Sequence, residues 1–186
     1  MSGIVGSKLN IRGSGLVGSL GADGQHLLSA GAGKTNVFET VAAGGGKVLQ
    51  VVTGTSTTAS QGTEDTFTDT GLNVTITCSA SSSLVYLLAE TTGLISTING
   101  IGNFTIERQV SGGSDTNLGD STTGLCHMKS DQGAHIGPVC CHILDSPSTT
   151  SEITYEFQRS NTSGGDVAVM YQSVKSSITA MEIDGS

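Results

Sequence analysis

Beyond position 47, apolar and polar residues alternate with period two. Leu72, Val74, Ile76 and Cys78 alternate with Asn73, Thr75 and Thr77, the pattern of a strand with one face in a core and one in water. Phe104 and Ile106 alternate with Thr105 and Glu107, Ile153, Tyr155 and Phe157 with Thr154 and Glu156, and Val167, Val169 and Tyr171 with Ala168 and Met170. Between them SLVYLLAE (83–90) is continuously apolar, which predicts a central strand covered on both faces, with a short buried helix as the alternative. Strands near Val48 to Thr53 and Ser177 to Ile183 complete a set of about eight, separated by Gly, Ser, Asp and Asn turns. No segment shows sustained helical periodicity with caps. The pattern predicts an all-β chain folded as a jelly-roll-like antiparallel β-sandwich.

Residues 1–47 read differently. They are glycine-rich with isolated Ile, Val and Leu, too sparse to close a core within one chain. A short strand around Gln25 to Ser29, a glycine turn and a second strand around Thr35 to Thr40 form a predicted hairpin, and Gly44, Gly45 and Gly46 read as a hinge. The expected organisation is therefore an extended Gly-rich N-terminal arm, 1–47, that packs against a partner, and a β-domain, 48–186. An arm of this kind becomes stable when three copies interdigitate, since each supplies surface the others bury.

The formal net charge is -8, with the eight Lys and Arg residues spread thinly. Nucleic-acid binding needs a basic patch and is not expected. The N-terminus lacks a basic stretch followed by an apolar h-region, and no run approaches the length of a membrane span, so the expectation is a product made and kept in the cytoplasm, without membrane insertion. Asn-X-Ser/Thr matches at Asn73, Asn103 and Asn161 are expected by chance in a Thr/Ser-rich chain.

Few residues invite chemistry. GAGKT, ending at Thr35, resembles part of a phosphate loop, but Leu28 stands where that motif requires glycine, and the residues after it look extended. Cys126, His127, His135, Cys140, Cys141 and His142 gather three of the four cysteines and three of the four histidines. Their spacing fits no standard zinc finger or ribbon, and in a strand Cys140 and His142 would share a face while Cys141 looks the other way. They read first as inert core and surface residues, with a metal site or a disulfide as alternatives. A Cys-His nucleophilic pair would need an orienting third group, and Glu64, Asp65, Asp69 and Asp120 fall in predicted turns, where Asx-turn chemistry accounts for them. No catalytic, cofactor-binding or metal-binding residue is assigned, and no enzyme activity or cofactor is expected.

Two stretches carry a resemblance. GSLGADGQHLLSAGAGKTNVFET (18–40) looks like the hairpin element G-x-x-GQ-x-L-x-S-x-G-x-G that recurs in tail fibres and other fibrous virion proteins of bacteriophages. QGTEDTFTDTGLNVTITCSASSSLVYLLAE, then LGDSTTG, LDSPSTTSEITYEFQ and the closing SSITAMEI are similar to a domain of structural proteins of marine tailed phages, including those infecting cyanobacteria. The resemblance implies a virion component made in the host cytoplasm: a jelly-roll-like domain assembled as a homotrimer, with an N-terminal segment attaching it to other virion proteins. The Cys/His stretch departs from the usual pattern. A tail-fibre or receptor-binding role would join the arm to a tail adaptor or tube and present the domain to a host surface glycan or protein. A capsid-decorating protein or head fibre would join it to the major capsid protein instead.

Overall fold

The alternating runs become strands that pair as one long hairpin folded back on itself. The computed structural model describes residues 47–185 and the short stretches 10–11, 15–16, 25–28 and 37–39. The chain divides into two compact units, residues 1–44 and 45–186. In the first, β1 (Asn10–Ile11) pairs antiparallel with β2 (Gly15–Leu16), and β3 (His26–Leu28) with β4 (Val37–Glu39), Leu27 opposite Phe38. The predicted hairpin arms are β3 and β4. The GAGKT turn and the Gly44 to Gly46 run lie outside the described residues.

The second unit holds β5 (Val48–Ser56), β6 (Ser60–Gly62), β7 (Thr68–Thr77), β8 (Leu84–Ile95), β9 (Ile101–Val110), β10 (Thr116–Asn117), β11 (Cys126–Lys129), β12 (His135–Asp145), β13 (Glu152–Asn161), β14 (Val167–Val169) and β15 (Ser176–Ile183). Pairing is nested: β5 with β15, β7 with β13, β8 with β12, and β9 with β10 and β11, all antiparallel. Outermost strands pair with outermost and innermost with innermost, which is the jelly-roll arrangement. β15 also pairs with β8, giving a first sheet ordered β5-β15-β8-β12, and β13 also pairs with β9, giving a second ordered β7-β13-β9 with β10 and β11 at its far edge. β14 joins β8 beyond the start of β15 and carries β6.

The core lies between the sheets. Val85, Leu87, Ala89, Ile178 and Ala180 of the first meet Leu72, Val74, Ile76, Phe104, Ile106, Ile153 and Phe157 of the second, all buried. The Phe104 and Phe157 rings stack with centroids 6.0 Å apart. Each of these side chains larger than alanine contributes roughly 1.5–3 kcal/mol by leaving water. The sheets nearly touch where β5 crosses β7: a Cβ on Gly54 would sit 1.7 Å from the Asn73 carbonyl oxygen, so only glycine permits that approach.

Two buried polar groups tie the layers. Glu182 of β15 is 1% exposed, and its Oε1 accepts from the Ser79 N–H (2.7 Å), Ser79 Oγ (2.6 Å) and Ser83 Oγ (2.7 Å), while Oε2 accepts from Gln50 Nε2 (2.6 Å). Burial pushes its carboxyl up, but these hydrogen bonds outweigh that and hold it down at about 2. Asp145, at the end of β12, accepts from Arg108 Nη1 (2.8 Å) and the Tyr155 hydroxyl (2.8 Å), and burial followed by the Asp145 charge raises the Tyr155 phenol.

Where the sequence pattern misleads, the reason is local. The alternation through Tyr171 stops early: β14 ends at Val169, Val167 to Met170 are all buried, and Met170, Gln172 and Ser173 take positive φ around a short 3-10 turn, Tyr171–Ser173. β8 is central as predicted, but it is covered on one face only. Val85, Leu87 and Ala89 are buried, while Leu84, Tyr86 and Leu88 are half-exposed.

Candidate interaction surface

Residues directly opposite on antiparallel strands share a face, so the register writes out the outer surface of the first sheet in rows. One row runs Val51, Met181, Tyr86, Leu144 across β5, β15, β8 and β12. Beside it lie Val48, Ile183 and Leu84 on one side and Thr53, Thr179, Leu88 and His142 on the other. Val48 and Val51 are each 55% exposed and Leu144 52%. The Thr53 and Thr179 hydroxyls bond to each other at 3.0 Å, and the His142 ring lies 6.1 Å from that of Tyr86. The next row, Thr55, Ser177, Glu90 and Cys140, turns polar and borders a shallow basin of about 360 Å³ lined by Glu90, Pro138, Cys140, Val174, Lys175 and Ser177. An antiparallel sheet facing water normally carries polar side chains there; three adjoining rows of this one contain no Asp, Glu, Lys or Arg.

The outer face of the second sheet is its opposite. Glu107 stands directly across from Glu156, a like-charge pairing that disfavours both, and Gln109 Nε2 donates to Glu156 Oε2 at 3.1 Å. Burial first, then the charges of Asp69, Glu107 and Asp115, raise the Glu156 carboxyl. A folded pKa above the unfolded value means that this group favours folding most below the unfolded pKa, and that the advantage fades as pH rises through the folded value. Glu156→Gln is therefore expected to raise Tm by about 1–3 °C at pH 7, solvent screening keeping the effect small, and to leave Tm unchanged near pH 3. Thermal melts at the two pH values check it.

The Cys/His stretch is split by the strands that carry it. Cys126 on β11 of the second sheet and Cys141 on β12 of the first form a disulfide across the sandwich edge, with Cα atoms 6.1 Å apart. For these two the inert-residue reading is corrected: they approach because β11 and β12 are facing edge strands, which spacing alone does not reveal. Cys140 and His142 point out on the other side of β12, as strand geometry requires, and His127 and His135 are exposed. Among the described residues no group of three or more His, Cys, Asp or Glu side chains converges as metal donors. Cys78 is a buried thiol, pushed up by burial and then by the charges of Glu182 and Asp145.

Of the four carboxylates expected in turns, Asp69 lies within β7 instead, and Asp69, Asp120 and Glu64 have structural partners. Asp69 Oδ1 accepts from the Gly71 N–H, and Asp120 Oδ1 from the Thr122 and Thr123 N–H groups, which holds the Asp120 carboxyl below its usual range. Glu64 pairs with the buried Arg159 at 2.8 Å. Asp65 is exposed in a bend. Asn103 and Asn161 are buried.

No protein-family model matches the chain, and no curated protein does. Among solved structures, an Eiger TNF from S. frugiperda is 12% identical over 73% of this chain and 93% of that one, with a TM-score of 0.43. A structure of infectious bursal disease virus, Gx strain, is 15% identical with a TM-score of 0.35, and the VP2 subviral particle of the same virus is 12% identical with a TM-score of 0.35. This chain covers 87% and 86% of its own length in those two matches but spans only 38% of each viral chain. The jelly-roll assignment stands on the strand pairing.

Proposed function

We propose that this chain is a structural subunit of a bacteriophage virion, of the tail-fibre or receptor-binding type. It works as a homotrimer that attaches through residues 1–47 and displays its jelly roll to the host surface. The observation that carries this reading is where the phage-like motifs fall. Residues 61–90 supply β7 and most of β8, LDSPSTTSEITYEFQ leads from the end of β12 into β13, and SSITAMEI is β15. The segments that resemble virion proteins thus build the framework of the sandwich, including the strand that joins the two halves of the first sheet. Rigid sandwiches of this kind carry recognition on their loops. Three copies of a weak loop site raise avidity by roughly 10²–10⁴ where geometry allows simultaneous engagement.

Deletion of residues 1–46 tests the attachment. The truncated chain should keep its β-type circular dichroism and its melting transition, and should be absent from purified particles while the full chain is present. Incorporation of the truncated chain at the full-length level would refute the role of the arm.

A further inference from the structure

Resting on the reading of this chain as a particle subunit that assembles with itself, we propose that the apolar outer face of the first sheet is the surface through which its copies pack together. Val51, Met181, Tyr86 and Leu144 form its centre. Scattered apolar residues on a surface need no explanation, but here they stand side by side across four strands, a contiguous patch of the kind that marks interfaces. The polar row of Thr55, Ser177, Glu90 and Cys140 borders it as the rim of an interface borders its core.

Charge selects the occupant. Each copy carries a formal -8, so copies repel one another unless they meet on surface that is free of carboxylates. The second sheet's outer face, with Glu107 opposite Glu156 and Asp69 and Asp115 close by, is the wrong side. The rows around Tyr86 contain neither Asp nor Glu. Packing there turns the acidic faces outward, where water and salt screen them. A lipid surface fits less well, because membrane-binding faces carry a basic fringe, whereas the border here sets Glu90 beside Lys175, with no net positive charge.

Native mass spectrometry of the full chain, wild type beside Val51→Glu and Tyr86→Glu, tests the assignment, with Thr75→Lys on the opposite sheet as control. The expected result is an oligomeric wild type and control, and folded variants with association weakened about a hundredfold or more, as for an uncompensated buried charge. Val51 is already more than half exposed, so a glutamate there tests the face even if Tyr86→Glu fails to fold. Wild type and both variants oligomerising alike would overturn the assigned face and leave the particle-subunit reading standing. A monomeric wild type at about 100 μM would overturn it too. The presence or absence of the wild-type chain in purified particles decides the subunit reading separately.

Discussion

Glu182→Ala is expected to lower the stability of the sandwich by about 3 kcal/mol, and Tm by about 10 °C. Among the described residues the carboxylate is the only acceptor for Ser83 Oγ and for the Ser79 N–H and hydroxyl, and removing it strands donors in a site with little access to water. It also joins three parts of the fold: Gln50 on β5, the β7–β8 connection at Ser79 and Ser83, and β15 itself. The effect has a pH signature. Because the folded carboxyl is held down at about 2, below the unfolded value, its contribution is present above about pH 4.3 and is lost as pH falls toward 2. Urea unfolding of wild type should therefore show stability declining between about pH 4.3 and 2, and the alanine variant should lack most of that decline. Parallel pH profiles for the two proteins would mean that the carboxylate is not ionised and held by these donors.

Cutting the Cys126–Cys141 bridge is the second large effect. The bridge closes a loop with a sequence separation of 15 residues, for which the chain-entropy argument gives about 3 kcal/mol. β11 has four residues and lies at the second sheet's edge, so the covalent link adds to the hold that Met128 and the short connection 130–134 give it on β12. The double variant Cys126→Ser/Cys141→Ser should unfold at correspondingly lower urea. Its amide exchange should rise most in β11 and the loops beside it, with β8 and β13 remaining protected. A thiol count on denatured, unreduced wild type should give two groups, Cys78 and Cys140. Four would contradict the bridge.

Strands whose outer face meets water with polar side chains were legible in the sequence, because period two survives only when the two faces differ. Residues 72–77 and 153–157 are of that kind, in β7 and β13; 104–107 in β9 alternates as well, but its outward Thr105 is buried and donates to Asn117 Oδ1 rather than meeting water. In the first sheet β5, β8 and β15 were read as strands, but β12 hid itself, for the reason that makes this sheet interesting. β12 carries Val139 and Cys141 inward but Pro138, Cys140 and Leu144 outward, so both faces read apolar and the alternation disappears. The unbroken run 83–90 in β8 has the same origin: its outward Leu84, Tyr86 and Leu88 belong to the apolar patch. A continuously apolar run in an antiparallel strand was thus the available signal for that surface. Glu182 had none, since its partners lie 99 to 132 residues away and an acidic residue in a terminal strand looks like any solvated one. β6 and β10, three and two residues of polar character, are too short to carry a period.

Cryo-electron microscopy of virus particles purified from infected cells that produce this chain tests the central claim most directly. The account predicts threefold density on the tail that accommodates three copies of the 45–186 sandwich, joined to the particle through the residues before Val48. Copies spread over the shell would move the protein to capsid decoration, and particles from which the chain is absent would contradict a virion role.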